Sequence, residues 1–242
     1  MTARLDTIII TGASSGIGYD LARRFLAEGA SVVLCARDPV KLEEAGRSLD
    51  APDRVEVVAG DVGEASTGVA LREAAIRRFG GVDVLVNNAG IYAPGPFLEA
   101  SEEQLDAFVR TNLKGTFLVS QAVIPALIER GGGSVLNVGT VLVEQPMTGL
   151  PVAAVMASKG GVHALTRALA AEFASRRVRV NAIAPGIIRT PLIDDPDSLA
   201  GLHPLGRVGE VQETSEAALF LARSEFVTGT ILAIDGGYAH AR

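Results

Sequence analysis

A glycine-rich turn is the first place where residue type and spacing imply chemistry. Thr11-Gly12-Ala13-Ser14-Ser15-Gly16-Ile17-Gly18 follows an apolar run and leads into an amphipathic stretch. Glycine removes the Cβ that would keep the backbone away from an anion. A helix that starts there offers unpaired N–H groups and a positive dipole end. This strand–turn–helix order predicts a pyrophosphate cradle, spaced G-x-x-x-G-x-G rather than G-x-G-x-x-G. An ordinary glycine turn is the alternative. The second apolar run ends Leu34-Cys35-Ala36-Arg37, with no carboxylate at its tip. A ribose 2′-hydroxyl calls for an acid at that point and a 2′-phosphate for a cation. Arg37 therefore favours NADP(H), with NAD(H) the second choice; a solvated surface arginine is the alternative. Asp38 precedes Pro39 and reads as a helix N-cap before an N1 proline.

The elements that must carry these residues alternate along the chain. Strands are expected over Thr7–Thr11, Ser31–Ala36, Arg54–Ala59, Val82–Asn87, Ser134–Val138, Val178–Ile183 and Thr230–Ile234. Most are continuously apolar, as parallel strands buried on both faces are. Helices are expected over Ile17–Glu28, Pro39–Leu49, Glu64–Phe79, Glu102–Arg130, Ala153–Arg176 and Val211–Arg223. The alternation predicts an α/β fold, a doubly wound sheet of seven mainly parallel strands flanked by helices. No linker or composition break divides the chain, so residues 1–242 read as one domain. Asp61 with Glu64, and Ser101 with Gln104, have capping-box spacing.

Composition narrows the function classes. Twenty-two Lys and Arg against 28 Asp and Glu leave a net charge of −6, which argues against a nucleic-acid partner. Cys35 is the sole cysteine, so there is no internal disulfide and no cysteine-rich zinc site. In a strand it reads as a small hydrophobe. His163, His203 and His240 lack metal-ligand spacing. No apolar run reaches about 18 residues, so no membrane span is expected. The start passes straight into a strand without a leader pattern, which reads as a mature cytoplasmic protein.

Five motifs in order resemble the short-chain dehydrogenase/reductase family over nearly the whole chain. They are Gly12, Gly16 and Gly18 (TGxxxGxG), Asn87-Asn88-Ala89-Gly90 (NNAG), Asn112 in the central helix, Pro185-Gly186 with Thr190 (PGxxxT), and Asp235-Gly236-Gly237. The resemblance implies a Rossmann-type fold and reversible hydride transfer between a nicotinamide and a carbonyl or secondary alcohol. It implies cofactor contacts from Gly12, Ser14, Ser15, Gly16, Ile17, Gly18 and Arg37. Asp61, Val62, Asn88, Ala89, Gly90, Lys159, Pro185, Gly186, Ile188 and Thr190 complete the set, with Asp61 toward the adenine. It also implies a homotetramer or homodimer through the helices carrying Asn112 and Lys159, whose apolar residues exceed one buried face.

The family's proton-transfer group is a Tyr four residues before a Lys on one helix face, with a Ser after strand five and an Asn. Here Lys159 and Asn112 are in place, and Thr140 falls at the Ser position. Val155 stands at the Tyr position, and valine has no proton to give. Thr140 lies 15 positions before Val155 where the family commonly has 13, so the loop Val141–Pro151 reads as two residues longer. Losing a positioned general acid typically costs about 10² to 10⁴ in rate. Tyr92 is a substitute donor or, by the plainer reading, a pocket-lining aromatic. Glu144, on the long loop, is the other candidate acid or, by the plainer reading, a solvated carboxylate, and His163 reads as a packing residue. The segment from Thr190 to Pro204 resembles a short substrate lid, or a surface loop, with Asp194, Asp195 and Asp197 set to repel anions if they face the cleft. Three readings stay open: a slow NADP(H)-dependent oxidoreductase on an unidentified small molecule, a dinucleotide-binding partner protein without turnover, and a non-redox cyclase or lyase in the same pocket.

Overall fold

The computed structural model describes residues 5–241; the expected leaderless start rests partly on residues 1–4, outside that range. Seven parallel strands form one sheet: β1 (Thr7–Thr11), β2 (Ser31–Ala36), β3 (Val55–Ala59), β4 (Val84–Asn87), β5 (Gly133–Val138), β6 (Val178–Pro185) and β7 (Ile231–Ile234). Their order is β3-β2-β1-β4-β5-β6-β7. The helices are α1 (Gly16–Ala27), α2 (Pro39–Ser48), α3 (Ala65–Phe79), α4 (Glu102–Phe108), α5 (Gly115–Glu129), α6 (Ala153–Phe173) and α7 (Val211–Arg223).

Alternation within β1 shows why the strands are apolar throughout. Ile8 and Ile10 point into one layer with Leu21, Phe25 and Leu221, while Ile9 points into the other with Leu71, Val119 and Leu127. Successive side chains of a strand face opposite sides, and helices cover both. Burying each isoleucine fully contributes about 1.5–3 kcal/mol. Winding reverses between β1 and β4, and ligands of open α/β sheets bind outside the carboxyl ends of the strands at such a point.

Two local expectations hold and two fail. Asp38 Oδ1 accepts from the Val40 and Lys41 N–H groups, and Ser101 Oγ accepts from Gln104 N–H. The capping box of Asp61 and Glu64 does not form. Glu64 itself is the N-cap residue of α3, and Asp61 turns its Oδ1 to the Gly63 N–H at 2.8 Å. The single helix expected over Glu102–Arg130 is interrupted by a π-helical turn, Val109–Lys114. Asn112 lies in that turn, where its Oδ1 accepts from Ile91 N–H and its Nδ2 donates to Ile91 O and Ser158 Oγ. Such turns concentrate at functional sites. No described helix is long and apolar enough to cross a membrane.

Candidate functional site

A cleft of about 1230 Å³ opens at the carboxyl ends of the strands, above the β1–β4 switch point. Its floor is a backbone clamp. Asn88 Nδ2 donates to Thr11 O and Gly12 O, and Thr11 Oγ1 accepts from the Asn88 and Ala89 N–H groups. Gly12 and Gly16 sit at φ +65° and +56°, the left-handed region that favours glycine. Gly18 does not line the cleft. A Cβ there would lie 2.3 Å from Gly12 O and 2.4 Å from Asn88 Nδ2, so its smallness lets α1 close onto the clamp.

Ser14, Ser15, Gly16 and Ile17 line the wall at the start of α1, where Ser15 makes no side-chain cap bond. First-turn N–H groups are thus left for an anion. Arg37 and Lys41 stand beyond the tip of β2, and neither is drawn into an ion pair among the described residues. Lys41 is absent from the sequence reading. Its position in the first turn of α2, four residues after Arg37, is the signal that would have found it. Asp61 does not line the cleft, although Gly60 and Val62 do. Its carboxylate is engaged by Gly63 N–H and by Arg110 at 2.7 Å. Burial pushes that carboxyl up, but the Gly63 N–H, Arg110 and Arg37 together hold it below its ordinary value.

The far end of the cleft gathers Gly90, Tyr92, Thr140, Val155, Lys159, Pro185, Gly186, Ile188 and Thr190. Val155, Lys159 and His163 follow one another at i, i+4 and i+8 on α6, so they share a face. Lys159 Nζ donates to Val138 O at 2.7 Å, and burial pulls its ammonium down to about 8. Asn112 is 1% exposed and touches no cleft space; it acts by fixing Ile91 and Ser158. Thr140 Oγ1 accepts from Leu142 N–H at 3.3 Å, which leaves its own proton to donate. Val155 packs with Phe108 and Val152, against Tyr92, Leu150 and Met156. Tyr92 is a pocket-lining aromatic, and burial raises its phenol, so it keeps its proton.

Asp197 is held by Arg189 at 2.6 Å, and Asp194, Asp195 and Asp197 do not line the cleft. The segment from Thr190 to Pro204 is folded rather than a loose loop, with a 3₁₀ helix over Pro196–Leu202. Glu144 is not simply solvated, since it pairs with Arg167 at 3.4 Å and approaches His163 Nδ1 at 3.5 Å. His163 packs against Gly139, where a Cβ would come within 2.1 Å of its Nε2.

His203 carries no motif, and its sequence context shows only that it lacks metal-ligand spacing. It is buried, with Nδ1 2.6 Å from Asp235 O, and Nε2 accepts from Ile187 N–H at 3.3 Å. It braces the Pro185–Ile188 turn against the C-terminal Asp235-Gly236-Gly237 segment. No local pattern flags it, because its partners lie 16 and 32 positions away. Among the described residues, no cluster of His, Cys, Asp and Glu is arranged to hold a metal ion.

Residues 12–239 match the family model described as enoyl-(acyl carrier protein) reductase. The chain is 40% identical to a galactitol 2-dehydrogenase (L-tagatose-forming) of Cereibacter sphaeroides, over 95% of this chain and 93% of that one. The structure superposes on a 3-ketoacyl-(acyl-carrier-protein) reductase of Brucella melitensis complexed with NADH, with a TM-score of 0.90 and 34% identity over 98% and 100% of the two chains. It matches L-sorbose reductase of Gluconobacter frateurii, complexed with NADPH and L-sorbose, with a TM-score of 0.90 and 30% identity over 97% of each. Sheet order, glycine clamp and sequence identity agree: the chain belongs to the short-chain dehydrogenase/reductase family.

Proposed function

We propose that this protein is an NADP(H)-binding oxidoreductase of carbonyls or secondary alcohols whose proton-transfer step is slow. The observation that carries the reading is the cleft wall itself: an uncapped α1 start above the glycine clamp, with Arg37 and Lys41 at the far tip. These features fit a dinucleotide, with backbone N–H groups for the pyrophosphate and two cations for a 2′-phosphate. Gly12, Ser14, Ser15, Gly16 and Ile17 would hold the pyrophosphate. Arg37 and Lys41 would hold the adenosine phosphate, Asn88, Ala89 and Gly90 the central ribose region, and Lys159, Pro185, Gly186, Ile188 and Thr190 the nicotinamide end. When bound, the nicotinamide donates or accepts the hydride.

The rest of the chemistry falls to the chain. Thr140 has a proton to place on a substrate oxygen, and Lys159 supplies positive charge beside it. Tyr92 is the remaining phenol on the wall. Val155, at 1% exposure, fills with an isopropyl group the place where the family carries its phenol. That substitution supports slow chemistry, and it equally supports a second reading, a dinucleotide-responsive protein without turnover. Titration of NADPH and NADH by calorimetry, with hydride transfer followed on a panel of ketones, aldehydes and alcohols, separates the readings. Tighter NADPH binding with weak turnover is the expected result. Equal or reversed affinities would remove the Arg37 argument, robust turnover would remove the slow-chemistry argument, and no turnover on a wide panel would favour the second reading.

We also propose a homodimer or homotetramer through α5 and α6. The support is an open groove of about 430 Å³ between them, walled by Phe117, Ile124, Pro125, Leu169 and Phe173. Light scattering giving a monomer near 25 kDa would count against it.

A further inference from the structure

We propose that the substrate end of the cleft takes an uncharged, largely hydrophobic ketone or alcohol, an apolar body carrying one polar oxygen. The proposal rests on the oxidoreductase reading and narrows it to a substrate class.

Charge is distributed unevenly along the cleft. Its charged lining residues are Arg37, Asp38, Lys41 and Lys159. The first three stand at the tip of β2 and the start of α2, which leaves Lys159 alone at the other end. Lys159 Nζ is itself occupied by Val138 O. The walls around it come from two apolar clusters that share Leu150 and Met156. One adds Leu142, Met147 and Leu202, and the other adds Val155. Leu192 and Leu199 of the lid complete the enclosure. The lid's acids do not enter it, and Asp197 is neutralised by Arg189.

This lining discriminates by what it lacks. A polyol or open-chain sugar would lose water from several hydroxyls and find few partners, because Thr140, Tyr92 and Thr190 provide the side-chain hydroxyls there; unpaired polar groups are costly to bury. An acyl thioester on a phosphate-bearing carrier would need cations at the mouth to hold its phosphates, and among the described residues that line this end there is none besides Lys159. An apolar ring system or chain satisfies the wall by burial alone. Its single oxygen would meet the Thr140 hydroxyl and the Lys159 charge.

The test is binding, independent of turnover. Protein saturated with NADPH is titrated by calorimetry with androstenedione, L-sorbose and acetoacetyl-CoA. The steroid ketone is expected to bind, and each polar probe to bind at least about 100-fold more weakly. Leu192→Asp puts a charge on an exposed lid position without disturbing the core. It should weaken the ketone by about 10- to 100-fold, the worth of one buried leucine contact, with melting temperature and NADPH affinity unchanged. Leu199→Asp is the second variant. Comparable or tighter binding of either polar probe would overturn the proposal. So would failure of the ketone to bind, or indifference of its binding to both substitutions. If NADPH itself does not bind, the oxidoreductase reading falls. The ketone titration on cofactor-free protein then decides the wall chemistry alone: ketone binding sustains the hydrophobic class and no binding ends it.

Discussion

Placing a phenol at position 155 is the sharpest perturbation this site offers. In Val155→Tyr with Thr140→Ser, the new ring would stand one helical turn before Lys159, at i and i+4 on α6. Lys159, held to about 8 by burial, is still mostly charged at neutral pH, and its charge would draw the phenol's pKa down toward the working range. Replacing Thr140 with Ser keeps an acceptor for Leu142 N–H and frees a χ1 that β-branching had stiffened. Against the gain stands packing. Val155 is 1% exposed and lies against Phe108 and Val152, so a ring that cannot turn into the cleft overpacks the site by about 1–3 kcal/mol. For a chain of this size that lowers Tm by roughly 2–12 °C. The gain in hydride transfer, if the phenol reaches the substrate oxygen, is about 10² to 10⁴. The assay is loss of NADPH absorbance on a panel of carbonyls, beside calorimetric NADPH affinity and Tm for both proteins. A folded double variant with unchanged NADPH affinity and no gain in rate would refute the reasoning that the phenol is what the site lacks. The Val141–Pro151 loop, which follows Thr140, would then be the next segment to test.

Three further outcomes are expected. Gly18→Ala should destabilise the fold by roughly 1–3 kcal/mol or more in denaturant unfolding and abolish NADPH binding, because the new Cβ meets Gly12 O, which is backbone and cannot swing away; a stable variant that binds NADPH would contradict the clamp. Arg37→Ala should cost NADPH about 10- to 100-fold in affinity, the worth of one charge-assisted hydrogen bond, and leave NADH nearly unchanged; equal losses for both would assign Arg37 to the surface. Glu213, hydrogen-bonded by Arg207 and closing the capping box at Glu210, is held down to about 2, below its ordinary 4.5. Its contribution to stability is therefore complete above about pH 4.5 and lost as pH falls toward 2. Glu213→Gln should flatten that part of the unfolding profile, and an unchanged acid limb would show the pair to be idle.

Much of the fold was legible because buried parallel strands advertise themselves. Ile8-Ile9-Ile10 can only be covered on both faces, and the starts of α2 and α4 were announced by Asp38 and Ser101. The interruption at Asn112 was not, since a π-helical turn changes the hydrogen-bond register without changing the apolar pattern. Asp61 misled for a related reason. Its spacing to Glu64 suits a capping box, but a closer Gly63 N–H and the distant Arg110 competed for the carboxylate and won. At the site, the residues set by chain order were visible: the glycine turn, Arg37, Lys159 and the valine before it. Those set by tertiary contact were not. Met147 enters the cleft, and His203 braces the turn beside it, from segments whose sequences carry no chemistry of their own.

The clamp between Thr11 and Asn88 spans 77 positions, and that has a consequence for the protein as it is being made. Until β4 leaves the ribosome, β1 is the unpaired edge of a three-stranded half-sheet, apolar on both faces and exposed to any strand that will pair with it. A chain stopped before Asn87 has the glycine turn but no partner for it, and so no cleft for a dinucleotide to occupy. Cofactor can therefore stabilise the finished fold by mass action, yet it offers the growing chain no protection during the interval in which its first edge stands open.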